Sequence, residues 1–484
     1  MALHLFNTLS RSLEPFRPAS PEKVGVYACG PTIYDHAHVG NFRSFVFYDL
    51  VHRYLEWRGY PVRFVMNLTD VDDKTIRAAR EEGRTIQEHT SPFAESILAD
   101  ADALGILRAD GYPRATEFVE EMIELVQRLL DRSHAYRTED GSVYFDITSF
   151  PGYGKLSRKK LDEVRQGERV AADEYEKDDV RDFALWKAAK PEDREVGAVW
   201  EAPWGEGRPG WHLECSAMSL SEVGETVDIH LGGEDLIFPH HEDEIAQSEG
   251  ATGKPFVRYW LHVKHLRFAD EKMSKSLGNT VTVRELLDDG VDPAALRHQL
   301  LSAHYRSELA FGSDGLEAST RAVQRLVDFR DRLRDAEVDA QAPPLELDVR
   351  ARETLEEFRR AMDDDLNAPA AMGALFRFVG EGNTLLDRGN DRLPPQEAKA
   401  GLELLSSLDR VLGVVELADG SRSVDASTRD WVEERIQERE RARRERDFQR
   451  ADAIRDELAQ QGIVLEDSPK GTRWKRVSGG QPVG

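Results

Sequence analysis

Two cysteines and one histidine-rich segment of this sequence could together hold a metal ion. Cys29 ends an apolar stretch, and Cys215 lies far along the chain in the sequence GWHLECS. In the segment FPHHEDE, a helix would place His240 and Glu244 on one face, where both could ligate the same ion. His241 is a poorer candidate because its i+4 neighbour is apolar, although its i+3 spacing to Glu244 keeps it open. The alternative is ordinary core packing, since free cysteines are often buried.

Two other segments contain residue types that handle the phosphates of a nucleotide. In HVGN at 38–41, His38 could donate to charge on an α-phosphate, and Gly40 would let adenine approach the backbone closely. In KMSKS at 272–276, Lys272 and Lys275 would suit a triphosphate leaving group in a mobile loop. Either segment alone is better explained as a turn or an exposed loop. Their occurrence in one chain supports the nucleotide interpretation.

The apolar pattern near the N-terminus predicts the elements that position these segments. Residues 23–29 and 62–68 are short runs rich in β-branched and aromatic residues, and a helical apolar stripe covers 42–57 between them. This strand–helix–strand unit predicts a parallel sheet with ligands outside the carboxyl ends of its strands. HVGN then lies at a helix N-terminus, whose free N–H groups suit a phosphate. Further strands are predicted at 226–231 and 258–264.

The region between 135 and 209 has a different residue pattern from the parallel-sheet segments around it, and this predicts an inserted module that splits the sheet. It contains hairpin-like pieces, a helix at 159–164 and a charged loop at 173–182. After about Pro293 the strand signals largely disappear. Four long amphipathic helices are predicted there, at 316–337, 348–362, 366–388 and 396–411. We expect a catalytic domain in two halves, at 1–134 and 210–265, separated by the insertion at 135–209. A KMSKS loop with a stem-contact region at 266–315 and a helical bundle at 316–414 should follow. A loop-like linker at 415–427 then leads to a C-terminal domain at 428–484, with a charged helix and a hairpin.

The composition is that of a protein with two to four domains and no membrane-spanning helix. The 484 residues are 40% hydrophobic and 32% charged, and no apolar run reaches the roughly eighteen residues that a spanning helix needs. The N-terminus lacks the features of a secretion signal, and two isolated cysteines suggest a reducing cytoplasm. The net charge of −25 opposes nucleic-acid binding except where cations cluster. Residues 429–476 contain thirteen Lys or Arg against twelve Asp or Glu, so this tail does not share the net negative charge of the whole chain.

The combination of HVGN and KMSKS resembles the class I aminoacyl-tRNA synthetases, and nearly the whole chain is similar to cysteinyl-tRNA synthetases. The similarity rests on long stretches that include VYACGPTIYDHAHVGN, GRPGWHLECSAM, DIHLGGEDLIFPHHEDEIAQSE, KMSKSLGN, AMDDDLNAPAA and GIVLEDSPKGTRWKR. The resemblance implies an α/β fold with a Rossmann-type parallel sheet split by an insertion, then an α-helical bundle and a small C-terminal α+β domain. It places the family's zinc ligands on Cys29, Cys215, His240 and Glu244, and its ATP-contacting lysine on Lys275.

The resemblance also implies a two-step reaction in which ATP activates L-cysteine and the product is transferred to the 3′ end of tRNA(Cys). Zinc would select the thiol over the hydroxyl of serine, which a shape-based pocket separates by only about a hundredfold. Mg²⁺ is expected with ATP. Asn41 ends the HVGN signature, and we expect its amide to hydrogen-bond where many class I enzymes have histidine. The other implied roles are phosphate stabilisation by His38, pyrophosphate binding by Lys272 and Lys275, a pocket wall at Trp211, amino-group binding by Thr69 and Asp235, and lining of the site by His212 and His230.

Two alternative functions differ from this one in the features they require. A paralogue that joins cysteine to an amino sugar would share the catalytic domain and zinc but lack the anticodon-binding end. This chain instead continues from about Asp425 with a charged helix and a predicted hairpin that contains Trp474. A catalytically silent tRNA-binding protein would not need both nucleotide motifs and the zinc ligands. We therefore expect a cytoplasmic monomer without membrane association, whose partners are ATP, L-cysteine and tRNA(Cys).

Overall fold

The computed structural model describes residues 2–159, 182–268, 281–422, 426–461, 463–468 and 471–476. Its strands are β1 His4–Asn7, β2 Ser12–Pro15, β3 Val24–Ala28, β4 Val62–Met66, β5 Ala135–Arg137, β6 Val143–Phe145, β7 Phe183–Ala188, β8 Gly207–Pro209, β9 Val227–Gly233, β10 Val257–Val263, β11 Leu266–Phe268, β12 Leu309–Phe311, β13 Glu337–Val338, β14 Arg392–Leu393, β15 Ile463–Ser468 and β16 Gly471–Arg476. Its α-helices are α1 Val39–Trp57, α2 Asp73–Glu82, α3 Ile86–Ala103, α4 Val119–Asp131, α5 Pro191–Glu195, α6 Trp211–Glu222, α7 His240–Thr252, α8 Val283–Asp288, α9 Pro293–Leu301, α10 Ser313–Asp335, α11 Leu347–Asp363, α12 Ala368–Gly389, α13 Pro395–Leu412, α14 Val415–Arg422, α15 Ala426–Arg444 and α16 Phe448–Gln460. Within these ranges, no helix combines the length and the apolar character needed to cross a membrane.

A four-stranded parallel sheet with the order β10-β9-β3-β4 lies at the centre of the catalytic region. All five residues of β3 are buried, as expected for an inner strand of a parallel sheet covered on both faces, and this accounts for its apolar sequence. Helix α1 connects β3 to β4. The chain then leaves the sheet and returns at β9, on the other side of β3. The predicted parallel sheet and its interruption are therefore confirmed, and the carboxyl ends of β3 and β9 lie side by side.

The segment between β4 and β9 contains helices α2 to α6 and a second sheet. That sheet is antiparallel, with the order β5-β6-β7-β8. Its strands lie within residues 135–209, where the sequence predicts the insertion. The helix predicted at 159–164 and the charged loop predicted at 173–182 fall almost wholly outside the described residues.

Helices α10 to α13 agree with the four amphipathic helices predicted after Pro293 to within a few residues. The loop predicted at 415–427 is wrong over its first eight residues, which form α14. The carboxylate of Asp409 accepts hydrogen bonds of 2.8 Å each from the N–H groups of Val414, Val415 and Glu416. These bonds satisfy the free amides at the start of the helix. Because their acceptor, Asp409, belongs to the preceding helix, the short VELADGSR sequence alone did not predict α14.

The C-terminal tail contains two helices where the sequence suggested one. Helix α15 ends near Arg446, which has a φ of 63°, and Asp447 caps α16 by accepting from the N–H of Arg450 at 3.1 Å. The predicted hairpin is present as β15 and β16, an antiparallel pair. A small apolar core joins these elements and consists of Val432, Ile436, Ile454, Leu458 and Ile463.

Two buried arginines attach the helices of the C-terminal half to α1. Arg297 of α9 forms an ion pair with Asp49 of α1, and neither side chain is exposed. Its Nε also donates to the carbonyl oxygen of Leu412, at the end of α13, at 2.7 Å. Arg43, near the start of α1, donates to carbonyl groups that follow α9, including that of Ala303 at 2.9 Å. The helix that begins with HVGN is therefore held firmly from two sides.

Candidate active site and metal centre

Three segments bring the predicted metal ligands to one buried place. Cys29 directly follows β3, where its N–H donates to the carbonyl of Leu231 in β9 at 2.9 Å. Cys215 lies in α6, and His240 is the first residue of α7, with Glu244 one turn further on. The i, i+4 spacing therefore places both of these side chains on one face, as the sequence predicts. All four ligand candidates are exposed by 5% or less.

The donor atoms of these four side chains all lie within 4.8 Å of one another. The two sulfur atoms are 3.8 Å apart, so Cys29 and Cys215 are free thiols and not a disulfide. The Sγ of Cys29 lies 3.6 Å from Oε1 of Glu244, and Nε2 of His240 lies 3.0 Å from the same oxygen. Two thiolates on a tetrahedral zinc, each at about 2.3 Å, would be about 3.8 Å apart. The donor types and the sulfur spacing both fit zinc.

The cluster concentrates negative charge away from water. Burial raises the pKa of both thiols; the hydrogen bond from Cys29 then lowers that of Cys215 to about 6, while the pKa of Cys29 stays well above its usual range. Burial also raises the pKa of Glu244, but its contacts with His230 and His240 outweigh this and lower it to about 2. Burial lowers the pKa of His240, but Cys215 and Glu244 raise it well above its usual value. The site therefore favours a positive charge, which a divalent cation supplies.

A second set of possible ligands shares two members with the first. His230 and His241 also place ring nitrogens within 4.8 Å of the donor atoms of Cys29 and Glu244. The Nε2 of His241 lies 3.3 Å from Sγ of Cys29, and its Nδ1 lies 2.8 Å from Nε2 of His262. The first set contains two thiols and the second only one, and zinc prefers the soft thiolate. The first set is therefore the better zinc site.

Three of the residues expected in the cysteine pocket contact the cluster. The ring centroids of Trp211 and His240 are 4.5 Å apart, and Trp211 is 40% exposed, so part of its surface is open to a ligand. The Nδ1 of His212 lies 2.9 Å from Nδ1 of His240. The Nε2 of His230 lies 2.8 Å from Oε2 of Glu244.

The two residues expected to bind the amino group occupy different surroundings. Thr69 is buried and donates to Oε1 of Glu214, the neighbour of Cys215, at 2.8 Å. The side chain of Asp235 is 62% exposed and lies 4.0 Å from His265. Sequence reasoning missed Glu214, which is only 2% exposed. In the sequence, the indication was that this acidic residue directly precedes the ligand candidate Cys215.

The HVGN signature forms the N-terminal cap of α1 through a reciprocal pairing. The Nδ1 of His38 accepts from the N–H of Asn41 at 3.2 Å, and Oδ1 of Asn41 accepts from the N–H of His38 at 3.1 Å. Because Nδ1 accepts, the neutral ring carries its proton on Nε2, and burial lowers the pKa of His38 and so favours the neutral ring. A Cβ at Gly40 would lie 2.8 Å from Nδ1 of His38. Glycine therefore makes room for the capping ring, a reason that the sequence alone did not suggest.

Lys272 and Lys275 lie outside the described residues, but the segments that flank KMSKS are described. After it, the carbonyl of Val281 accepts from the N–H of Val39 at 2.8 Å, and the pairing continues as an antiparallel bridge between His38 and Thr282. Before it, β11 pairs with β12 in parallel. The chain that leaves KMSKS is therefore hydrogen-bonded to HVGN.

Solved structures show the same fold, and a family model identifies the class. The methionyl-tRNA synthetase of Mycobacterium tuberculosis, bound by methionyl-adenylate, gives a TM-score of 0.57 at 16% identity and covers 82% of this chain and 90% of that chain. A LeuRS of Agrobacterium radiobacter, in a ternary complex with tRNA and LeuAMS, gives a TM-score of 0.57 at 14% identity and covers 85% and 86%. A model of the tRNA synthetases class I (C) catalytic domain matches residues 15–321. The split parallel sheet is that of a class I aminoacyl-tRNA synthetase.

The remainder of the chain and its full-length relatives are more specific. A DALR domain model matches residues 357–416, and a model of the cysteinyl-tRNA ligase anticodon binding domain matches residues 432–474. The cysteine–tRNA ligase of Chlamydia muridarum is 45% identical over 483 residues, which is 99% of this chain and 100% of the relative. That of Symbiobacterium thermophilum is 46% identical over 486 residues, with the same coverage. The chain therefore belongs to the cysteine–tRNA ligase family, and the predicted family and enzyme class are confirmed.

Proposed function

We propose that the chain ligates cysteine in two steps through cysteinyl-adenylate and that its buried cluster holds the zinc that selects the thiol. First, a carboxylate oxygen of L-cysteine attacks the α-phosphorus of ATP, and pyrophosphate leaves. Second, the terminal ribose hydroxyl of tRNA(Cys) attacks the carbonyl carbon of the adenylate, and AMP leaves. The observation that carries the proposal is the convergence of two thiols, an imidazole and a carboxylate at the carboxyl end of β3.

The residues that would hold zinc are Cys29, Cys215, His240 and Glu244. When bound, zinc supplies a preference for thiolate over hydroxyl, which separates cysteine from serine. The protein orients the donors through their second contacts, because His212 meets the other ring nitrogen of His240 and His230 meets the other oxygen of Glu244. These contacts support a site built for one ion.

For the nucleotide, we propose that the Nε2–H of His38 donates to the charge that develops on the α-phosphate. The N–H of Gly40, at the start of α1, would contribute to binding of the phosphates, whereas the N–H of Asn41 already donates to Nδ1 of His38. By the family resemblance, Lys272 and Lys275 bind the pyrophosphate, and Mg²⁺ accompanies ATP. The hydrogen bond between the HVGN segment and the chain after KMSKS supports a joint action of the two signatures.

For the amino acid, we propose that Trp211 forms one wall of the pocket and that His212 and His230 line it. Thr69 belongs to the region that holds the amino group, since it is buried and linked to the helix of Cys215 through Glu214. Asp235 is the weaker candidate for that group because its side chain is 62% exposed.

The C-terminal domain, at about 428–484, would read the anticodon of tRNA(Cys). Its match to an anticodon-binding domain supports this role and disfavours the amino-sugar paralogue, which would lack such an end. We also propose that the enzyme acts as a monomer in the cytoplasm, where a reducing environment keeps the two buried thiols free.

The test is cysteine-dependent exchange of pyrophosphate into ATP, measured beside charging of tRNA(Cys), for the full chain and for a truncation after residue 422. We expect exchange in both proteins, and charging that is strong only in the full chain. Absence of exchange would contradict the adenylate mechanism. Exchange without charging in the full chain would favour the amino-sugar ligase, and unchanged charging after truncation would remove the anticodon role of the tail.

A further inference from the structure

We propose that Asp365 is a positioning residue for the nucleotide site, which it supports by fixing the segment 303–306. This inference rests on the proposed function, since it concerns the step in which ATP activates cysteine. Asp365 lies in the turn between α11 and α12 and is 3% exposed. Its Oδ1 accepts from the N–H of Phe6 at 2.8 Å and from the hydroxyl of Tyr305 at 2.7 Å. Its Oδ2 accepts from Nε of Arg306 at 2.7 Å. One buried carboxylate therefore joins the turn of the helical bundle to β1 and to the segment 303–306.

The backbone of this turn adopts a conformation that its residues disfavour. Asp365 has a φ of 58° and Leu366 a φ of 55°, and a bulky residue such as leucine is rare in this left-handed region. The N–H of Asp365 donates to the carbonyl of His4 at 3.0 Å, and Nε2 of His304 lies 3.0 Å from the carbonyl oxygen of Asp365. Backbone strain of this kind persists only where the surrounding structure fixes the conformation, and it is concentrated at sites with a function.

The segment 303–306 contacts the helix that begins with HVGN. Arg43 of α1 donates to the carbonyl groups of Ala303 and His304, at 2.9 Å and 3.0 Å. One turn further along α1, the ring of Phe47 stacks on that of Tyr305, with the centroids 4.2 Å apart. A displacement of the segment would therefore displace α1 and the HVGN cap at its start.

The same segment contacts the chain that leads to KMSKS. The carbonyl of Tyr305 accepts from the N–H of Lys264, directly after β10, at 2.8 Å. Strand β12, which follows the segment, pairs with β11, and β11 is the last described strand before KMSKS. Asp365 thus fixes a segment that contacts both sides of the nucleotide site. A displacement of about 1 Å in such a site can lower the rate about a hundredfold.

The test is the substitution Asp365→Asn in the full chain, measured by cysteine-dependent exchange of pyrophosphate into ATP. Asparagine tolerates the left-handed conformation as aspartate does, and its amide oxygen can still accept from Phe6 and Tyr305. Its NH₂ group cannot accept from Arg306. We expect kcat to fall about tenfold to a hundredfold, whereas the KM for cysteine stays within about twofold because the metal cluster is held by α6 and α7.

Asp363→Asn is the matched control. Asp363 is also 3% exposed and lies two residues earlier, but it accepts from the hydroxyl of Tyr54 at 2.8 Å and pairs with Arg58. These partners lie at the other end of α1, about four turns of helix from HVGN. Both variants should lower the urea midpoint of unfolding by similar amounts, and only Asp365→Asn should lower kcat. An equal loss of kcat in the two variants, or no loss in Asp365→Asn, would overturn the proposal.

Substitution of Arg306 tests the same contact from its exposed side, should Asp365→Asn not fold. Arg306→Met lacks the donor but keeps a long apolar side chain beside the ring of Phe6, and it should lower kcat about threefold to tenfold. Arg306→Lys should restore most of that loss, since one donor suffices for Oδ2. A wild-type kcat in Arg306→Met, or an equal loss in Arg306→Lys, would contradict the assignment. Absence of exchange in the wild type would instead contradict the proposed function.

Discussion

Replacing Cys215 with serine should release the metal and remove much of the preference for cysteine over serine. The substitution exchanges a buried thiol, 2% exposed and 3.8 Å from the sulfur of Cys29, for a hydroxyl of smaller size. Serine is a poor zinc ligand because its hydroxyl does not ionise near neutral pH as a thiol in this cluster does. The loss should therefore appear in metal binding more than in folding.

The size of the effect follows from the number of ligands. Structural zinc sites contribute about 10–16 kcal/mol, so each of four donors accounts for about 2.5–4 kcal/mol. Loss of one donor should weaken zinc binding by about 10²–10³-fold, at about 1.4 kcal/mol per factor of ten. Without zinc, only the shape of the pocket discriminates, and the ratio of kcat/KM for cysteine over serine should fall to about a hundred.

Zinc per chain is measured after equilibration with a competing chelator, and selectivity by pyrophosphate exchange with each amino acid. The matched variant is His241→Asn, which should keep its zinc if Cys29, Cys215, His240 and Glu244 are the ligands. Full occupancy and normal selectivity in Cys215→Ser would refute the assignment. Zinc retained in Cys215→Ser but lost in His241→Asn would instead assign the ion to the second set of ligands, which includes His230 and His241.

Other predictions test the nucleotide signature and the fold that supports it. His38→Ala and His38→Asn should each lower the kcat of exchange by about 10²–10³-fold, because both lack the Nε2 donor. Only the alanine variant should also lose about 1 kcal/mol in urea unfolding, since asparagine still caps α1; normal turnover in either would exclude the phosphate role. Asp49→Asn should lower the free energy of unfolding by about 3–5 kcal/mol, because it leaves the buried Arg297 without its partner. The exposed variant Lys399→Gln should change it by less than about 0.5 kcal/mol, and an equal effect of both would contradict the role of the buried pair. Burial lowers the pKa of His298 from its usual 6.5 to about 4, so the unfolded chain takes up the proton first and stability falls as the pH drops through this window. Between pH 7 and pH 5 the wild type should therefore lose about 2 kcal/mol more than His298→Gln, and equal losses would disprove the assignment.

Much of the secondary structure and part of the site could be predicted from local patterns. The apolar runs at 23–29 and 62–68 predicted β3 and β4, because the strands of a parallel sheet with helices on its faces are rich in apolar residues. The pairing of His240 with Glu244 was predictable because 3.6 residues per helical turn place i and i+4 on one face. The family followed from long motifs that lie within continuous stretches of sequence.

Contacts between distant segments could not be predicted in this way, because they depend on the order of the strands and on the packing of helices. Helix α14 forms where a loop was expected, since its first N–H groups are satisfied by Asp409 of the preceding helix. The hydrogen bond from Thr69 to Glu214, whose positions are far apart in the chain, became evident only in the structure. Spacing within one helix is set by its repeat of 3.6 residues per turn, whereas the meeting of Cys29 with the helix of Cys215 requires β9 to return beside β3. Residue patterns can therefore nominate the chemical groups of this site, and the tertiary fold selects which of them act together.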